Sequence, residues 1–185
     1  RPVVVRSADA DRPAVFDGAG VQFSEPAHLV LEGLVFRNPP HNGLNIDDGG
    51  SRDSPAHHLV LRNLAIEGTG PDGNKDGLKL SGVDDLLVAR CTVRGWGGGG
   101  GSGIDMVGCH RVLIRDCRLQ GRTGTASHGI QAKGGSSEVV VRRCRLVDAG
   151  DRAIQFGGST GIPYFRPPGA RYENRRCVAL GNVVL

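Results

Sequence analysis

The chain has 185 residues, 30 of them glycine, and a formal net charge of +4, which suits one domain with a sizeable core. Its arginines are spread along the chain with no basic stripe interleaved with aromatics, so a nucleic-acid partner is not expected, and the mild positive charge reads as solubility or weak attraction to polyanions. There is no apolar run of roughly 18 residues to span a membrane, and no signal-peptide pattern opens the chain.

Residues 3–5 and 15–16 read as two strands of a first coil. The second coil runs over 21–40 and closes at Asn38-Pro39-Pro40; its successor begins at Gly43-Leu44-Asn45-Ile46-Asp47 after it. Longer connections follow at 48–58 and 68–77. At 95–103 a lone Trp96 precedes five glycines, a composition that predicts a mobile loop. Connections at 121–129 and 148–152 are shorter. From 159 to 176 the regular spacing breaks, and this segment reads as an irregular loop.

The strands repeat. Leu29, Leu59, Leu86, Val112 and Val139 form one column, and Leu31, Leu61, Val88, Ile114 and Val141 the next. Two residues intervene in every copy. Leu34, Leu64, Cys91, Cys117 and Cys144 then form a third column, at spacings of 30, 27, 26 and 27 residues. Phe36, Ile66, Val93, Leu119 and Leu146 form a fourth. Period-two alternation predicts strands, and the two-residue interruption predicts a bend that turns both halves toward one interior. A unit this short cannot bury its apolar side alone but can when stacked on its neighbours. The expected fold is all-β, a parallel β-solenoid of about six rungs, each about 4.8 Å from the last. Leucine-rich repeats have similar length, but their asparagine position and helical half are missing.

The motif G-[IL]-x-[ILM]-x-G followed by V-x-I-x-x-C-x-[LF], seen at 77–93, 103–119 and 129–146, resembles that of the single-stranded right-handed parallel β-helix proteins of the pectate-lyase-like superfamily. The resemblance implies one β-helix domain over 1–185, which we expect to be incomplete at one or both ends. It implies a secreted, cell-surface or periplasmic protein. It also implies a carbohydrate-active one, first of all a polysaccharide lyase cleaving an acidic polysaccharide by β-elimination. A non-catalytic carbohydrate-binding or surface β-helix, a uronate C5-epimerase and a glycoside hydrolase are the alternatives, because fold alone does not choose among them.

The first strand of each coil carries outward columns fixed by the two-residue period. One reads Asn45, Lys79, Asp105, Gln131, Gln155; a second reads Asp47, Ser81, Val107, Lys133, Gly157; a third reads Asn42, Asp76, Ser102, His128, Arg152. This polar face could hold a sugar chain, with Lys79, Asp105, Gln131, Gln155 and Asn45 as substrate contacts. β-Elimination needs a cation on the uronate carboxylate and a base for the adjacent proton. The resemblance makes a lysine or arginine the usual base, and Lys133 is the first candidate. His128 could act as acid or base near neutral pH, and Arg152 could clamp a carboxylate with its forked donors. His28, His57, His58 and His110 sit at strand starts of the second row, where no chemistry is expected. Asp76 and Asp105 could stand as far apart as the two carboxylates of an inverting hydrolase, yet the aspartate cluster and downstream R-x-K of polygalacturonase-like helices are not found.

Asp72, Asn74 and Asp76 match the first half of a calcium loop, but Val83 stands where its glutamate belongs. Calcium there is the one cofactor entertained; no nucleotide-binding motif is present. Cys91, Cys117 and Cys144 share an inward column that Cys177 is expected to extend, as free buried thiols. On the other side, Val30, Val60, Leu87, Leu113 and Val140 form an outward apolar row that calls for cover by a loop, domain or subunit.

Overall fold

The computed structural model describes residues 1–158 and 160–185. Ser159, where the expected irregular loop begins, lies outside the described residues. The chain winds into three parallel sheets. The face sheet holds six strands: Val21–Ser24, Leu44–Asp47, Leu78–Ser81, Gly99–Val107, Ala126–Lys133 and Arg152–Phe156. The long sheet runs from Val3–Arg6 through Leu29–Glu32, Ala56–Arg62, Val83–Ala89, His110–Arg115 and Ser136–Arg142 to Asn174–Arg175 and Val178–Leu180. The short sheet runs from Val15–Asp17 to Val183–Val184. Each rung contributes one strand to each sheet, which is a single-stranded right-handed parallel β-helix of about six rungs.

The expected bend has a local cause. The second residue of each interrupting pair is left-handed: Gly33 at φ 65°, Asn63 at 55°, Arg90 at 53°, Asp116 at 57° and Arg143 at 51°. A single left-handed residue turns the strand by a large angle without lengthening the coil, which lets the columns on either side share one interior. They do: Leu31, Leu61, Val88, Ile114 and Val141 are all fully buried, as are Leu44, Ile46, Leu80, Ile104 and Ile130. Phe36 stacks on Phe16 at a ring separation of 5.3 Å.

Cys91, Cys117 and Cys144 stand above one another, since Thr92 pairs with Arg118 and Arg118 with Arg145. All five cysteines are free. Cys177 does not extend this column. Val178 pairs with Val140, so Cys177 follows Val139 in the first column, and Asn182 takes the place above Cys144. There Asn182 accepts from the Cys144 N–H at 2.9 Å and donates to the Val141 carbonyl at 3.0 Å. The loop after the face sheet is longer than in earlier rungs and displaces the register.

The glycine run also departs from expectation. Gly97 N–H donates to Lys75 O at 2.9 Å, Gly98 N–H to Pro71 O at 3.0 Å and Gly99 N–H to Gly73 O at 3.2 Å, and the strand already begins at Gly99. These are backbone-on-backbone contacts: a β-carbon on Gly97 would strike the Gly73 carbonyl. Glycine is needed here for close approach rather than slack. Trp96 turns inward beside it and is 1% exposed.

Residues 160–173 fold over the corner between face and long sheets. The Arg166 N–H donates to Gly134 O at 3.0 Å, and Glu173 accepts from the Gly134 and Thr160 N–H groups at 2.7 and 2.8 Å. The outward apolar row is present in register and half-buried, and it continues to Val4 and Val178. Among the described residues no helix is long and apolar enough to cross a membrane.

Candidate functional site

The face sheet sets the three outward columns in register. Asn45 pairs with Lys79, Lys79 with Asp105, Asp105 with Gln131 and Gln131 with Gln155. Ser102 pairs with His128 and His128 with Arg152. Hydrogen bonds extend that last column: the Ser102 N–H donates to Asp76 Oδ1 at 2.8 Å, and the Asp76 N–H to Asn42 Oδ1 at 2.9 Å.

The face is not an open polar surface. Asp105 is 2% exposed, Asp76 3% and Gln131 4%. Buried charges persist only when paired, and here they are. Lys79 Nζ donates to Asp105 Oδ2 and lies 3.4 Å from Asp76 Oδ2. Lys133 Nζ lies 3.1 Å from Asp105 Oδ1 and donates to Gln131 Oε1 at 2.7 Å. Gln131 Nε2 donates onward to Gln155 Oε1 at 3.0 Å. Two lysines thus bracket one aspartate, and the amides carry the chain of contacts across two further rungs.

The network divides the titrations. Burial and the neighbouring Asp105 raise Asp76 to about 6, against the pull of Lys79. Burial works against the charge on Lys79, but Asp105 and Asp76 override it and hold the ammonium more firmly than usual. His128 moves the other way: burial, then Arg152 and Lys133, lower its pKa, so the neutral imidazole prevails at neutral pH.

His128, Lys133 and Arg152 line one groove of about 420 Å³, together with Gln131, Gln155 and Phe156. The three residues expected to do chemistry are therefore brought together. Lys79 and Asp105 lie beneath and beside them as the buried part of the network. Asn45 is set apart: it donates to Asp47 Oδ2 at 2.7 Å and lines a separate hollow with Gln22, His41 and Asn42. Asp72 and Asn74 are exposed in their loop, whereas the Asp76 carboxylate is occupied by Ser102 and Lys79. A calcium ion draws six or more oxygen ligands, and a carboxylate already bonded to a backbone N–H and a lysine does not fit that role.

Two features escaped the sequence reading. One is Arg166, whose guanidinium crosses the corner to Asp48. The other is the convergence of His28, His57 and His58 at the start of the long sheet. The adjacent pair His57-His58 and its 30-residue distance from His28 were the available signals.

A family model described as "Right handed beta helix region" matches residues 19–165. No curated protein matches the chain.

Proposed function

The chain belongs to the right-handed β-helix region family, and from that premise we propose that it is a carbohydrate-active protein whose face-sheet groove takes a uronate unit of an acidic polysaccharide and cleaves the chain by β-elimination. One observation carries the reading: His128, Lys133 and Arg152 line the same groove. Two cations and an imidazole around a polar floor match an anionic sugar better than a neutral one.

The division of labour follows from charge. Arg152 and Lys133 receive the uronate carboxylate; neutralising it acidifies the proton on the adjacent carbon. The base is His128 rather than Lys133. A neutral imidazole can accept that proton, whereas Lys133 is engaged by Asp105 and Gln131. The electron pair left on carbon forms the new double bond, the β carbon–oxygen bond breaks, and the departing oxygen takes a proton from water. Gln131 and Gln155 hold sugar hydroxyls. Lys79, paired with Asp105 and 3.4 Å from Asp76, offsets part of their negative charge beneath the groove. No step uses calcium.

The test is incubation with alginate, pectate and a glycosaminoglycan, read by the ultraviolet absorbance of the unsaturated uronate. The reading expects that absorbance with one of them and its loss in His128→Ala. Retention of polysaccharide without product would leave a binding β-helix, a reading favoured by the fact that both lysines of the face are already paired with Asp105. Proton exchange at the sugar without chain cleavage would make it an epimerase. Absence of both retention and turnover would remove the groove from consideration.

A further inference from the structure

Away from that groove, three imidazoles meet at the start of the long sheet. In an extended strand, His57 and His58 would point to opposite sides. His58 is left-handed, at φ 57°, which cancels the alternation and brings the two Nδ1 atoms to 2.8 Å. His28 occupies the same place one rung earlier. Ala27 bridges to His57, the His28 N–H donates to His57 O at 3.0 Å, and His28 is itself left-handed at φ 54°. The next rung repeats the device at Asp85, φ 54°, and there Asp84 and Asp85 converge on one guanidinium, that of Arg111. Two adjacent rungs that both carry histidine at the kink therefore bring their rings together, edge-on or tilted, with centroids 4.8–5.3 Å apart.

We infer that His28, His57 and His58 form a surface site for a divalent transition-metal ion, Cu²⁺ or Ni²⁺ in preference to Zn²⁺. One ring nitrogen from each histidine lies within 4.8 Å of the other two, a triangle small enough for a single ion. Imidazole suits all three metals, and the spacing separates them. Two nitrogens 2.8 Å apart, each about 2.0–2.1 Å from one ion, subtend roughly a right angle at it. That is the cis angle of a tetragonal centre; tetrahedral zinc would hold them about 3.3 Å apart. In the metal-free protein the same contact is a hydrogen bond from one ring to the other. The surroundings suit a cation. Asp84 and Asp85 are the rung partners of His57 and His58, and Arg111 supplies one positive charge against their two negative ones. Among the described residues Asp84 Oδ1 is buried without a hydrogen-bond partner, and a carboxylate is the usual acceptor for the second ring N–H of a ligating histidine. Two ligand positions come from consecutive residues and the third from a neighbouring rung, so the site requires the helix to be wound.

The experiment is calorimetric titration of the untagged full chain with CuCl₂, NiCl₂ and ZnCl₂ in turn, with electron paramagnetic resonance of the copper form. The inference expects one Cu²⁺ per chain, bound more tightly than Zn²⁺, with a three-nitrogen spectrum. His57→Ala and His28→Asn should each weaken binding by more than about tenfold without changing the melting temperature of the metal-free protein. Asparagine tolerates the left-handed backbone at 28. His110→Ala should bind as the parent does. Absence of stoichiometric binding overturns the site, as does undiminished binding by His57→Ala. Loss of binding in Cys177→Ser also overturns it, by placing the metal on sulfur.

Discussion

Arg166 reaches back across 118 residues to hold Asp48, with Nη2 donating to Oδ1 at 2.9 Å and Nε to Oδ2. Asp48 is 1% exposed, and the arginine runs over the corner past Gly108, where a β-carbon would collide with it. The pair ties the loop before the last rung to a turn four rungs away. We expect Arg166→Ala to cost about 3–5 kcal/mol, because it leaves a buried carboxylate without its cation. Arg166→Lys should recover little, since one ammonium cannot reproduce the two-pronged contact. Burial works to raise the Asp48 pKa, but Arg166 overrides it and holds the carboxyl below its ordinary value of 3.8. The contribution is therefore complete above that value and lost as pH falls through the lower native one. Urea unfolding of both proteins across acid pH should show their difference closing in that window.

The rungs were legible in the sequence because two independent periods agreed. Alternation named the inward side, and the 26–27-residue recurrence named the neighbour, so Leu80, Ile130 and the column Cys91, Cys117, Cys144 fall where expected. Cys177 misled because column matching rewards a like residue, whereas register is set by how much chain the preceding loop consumes; Asn182 holds the position. Composition made the glycines at 97–101 look slack when they serve close contact with residues 73–75. The groove was legible as a list of residues but not as an electrostatic arrangement. Alternation says that Asp105 leaves the core, and nothing in it says that Lys79 and Lys133 will close over it. The histidine cluster was hidden for a related reason: a left-handed residue suspends the period on which the prediction relied.

Asp76 gives a stability prediction of opposite sign to Asp48. Its pKa is raised to about 6 by burial and by Asp105. A raised carboxyl favours folding fully below the unfolded value of 3.8, and that advantage is lost as pH rises through about 6. Asp76→Asn keeps the oxygen that accepts from Ser102 and removes the titration. We expect the parent to lose stability relative to Asp76→Asn between those two values, by up to about 3 kcal/mol. Parallel stability curves for the two proteins over that range would contradict the arrangement of charges around Lys79.

The groove makes a kinetic prediction. If His128 is the base, activity falls as pH drops through its lowered pKa, below the ordinary 6.5. His128→Ala should remove most of the turnover, by about 10²–10⁴-fold for a lost general base. Arg152→Ala should instead act through carboxylate recognition, raising KM with kcat falling as the developing charge loses its partner. Gln155→Ala, which removes a contact to the sugar hydroxyls together with the acceptor of Gln131 Nε2, should shift KM with little change in kcat. A pH profile unchanged in acid would assign the base elsewhere, Lys133 first.

The cysteines test the interior directly. Cys91, Cys109, Cys117 and Cys144 are buried, and Cys177 is half-exposed. Burial pushes the Cys109 thiol up to about 12 and raises Cys177 as well, so little thiolate is available at either near neutral pH. We expect a thiol reagent to label the native protein slowly and at Cys177 alone, with the other four reacting only on unfolding in guanidinium. Because three of those four stand in one column inside the coil, their labelling should follow a single global opening rather than three separate ones. Cys117→Ala, in the middle of the column, should cost about 1 kcal/mol for the lost buried volume. Cys117→Leu should cost about 1–3 kcal/mol from overpacking between its rung neighbours. Rapid labelling of Cys117 in the native state would mean that the third column faces solvent, and the inward and outward assignments of every strand joined to it would reverse.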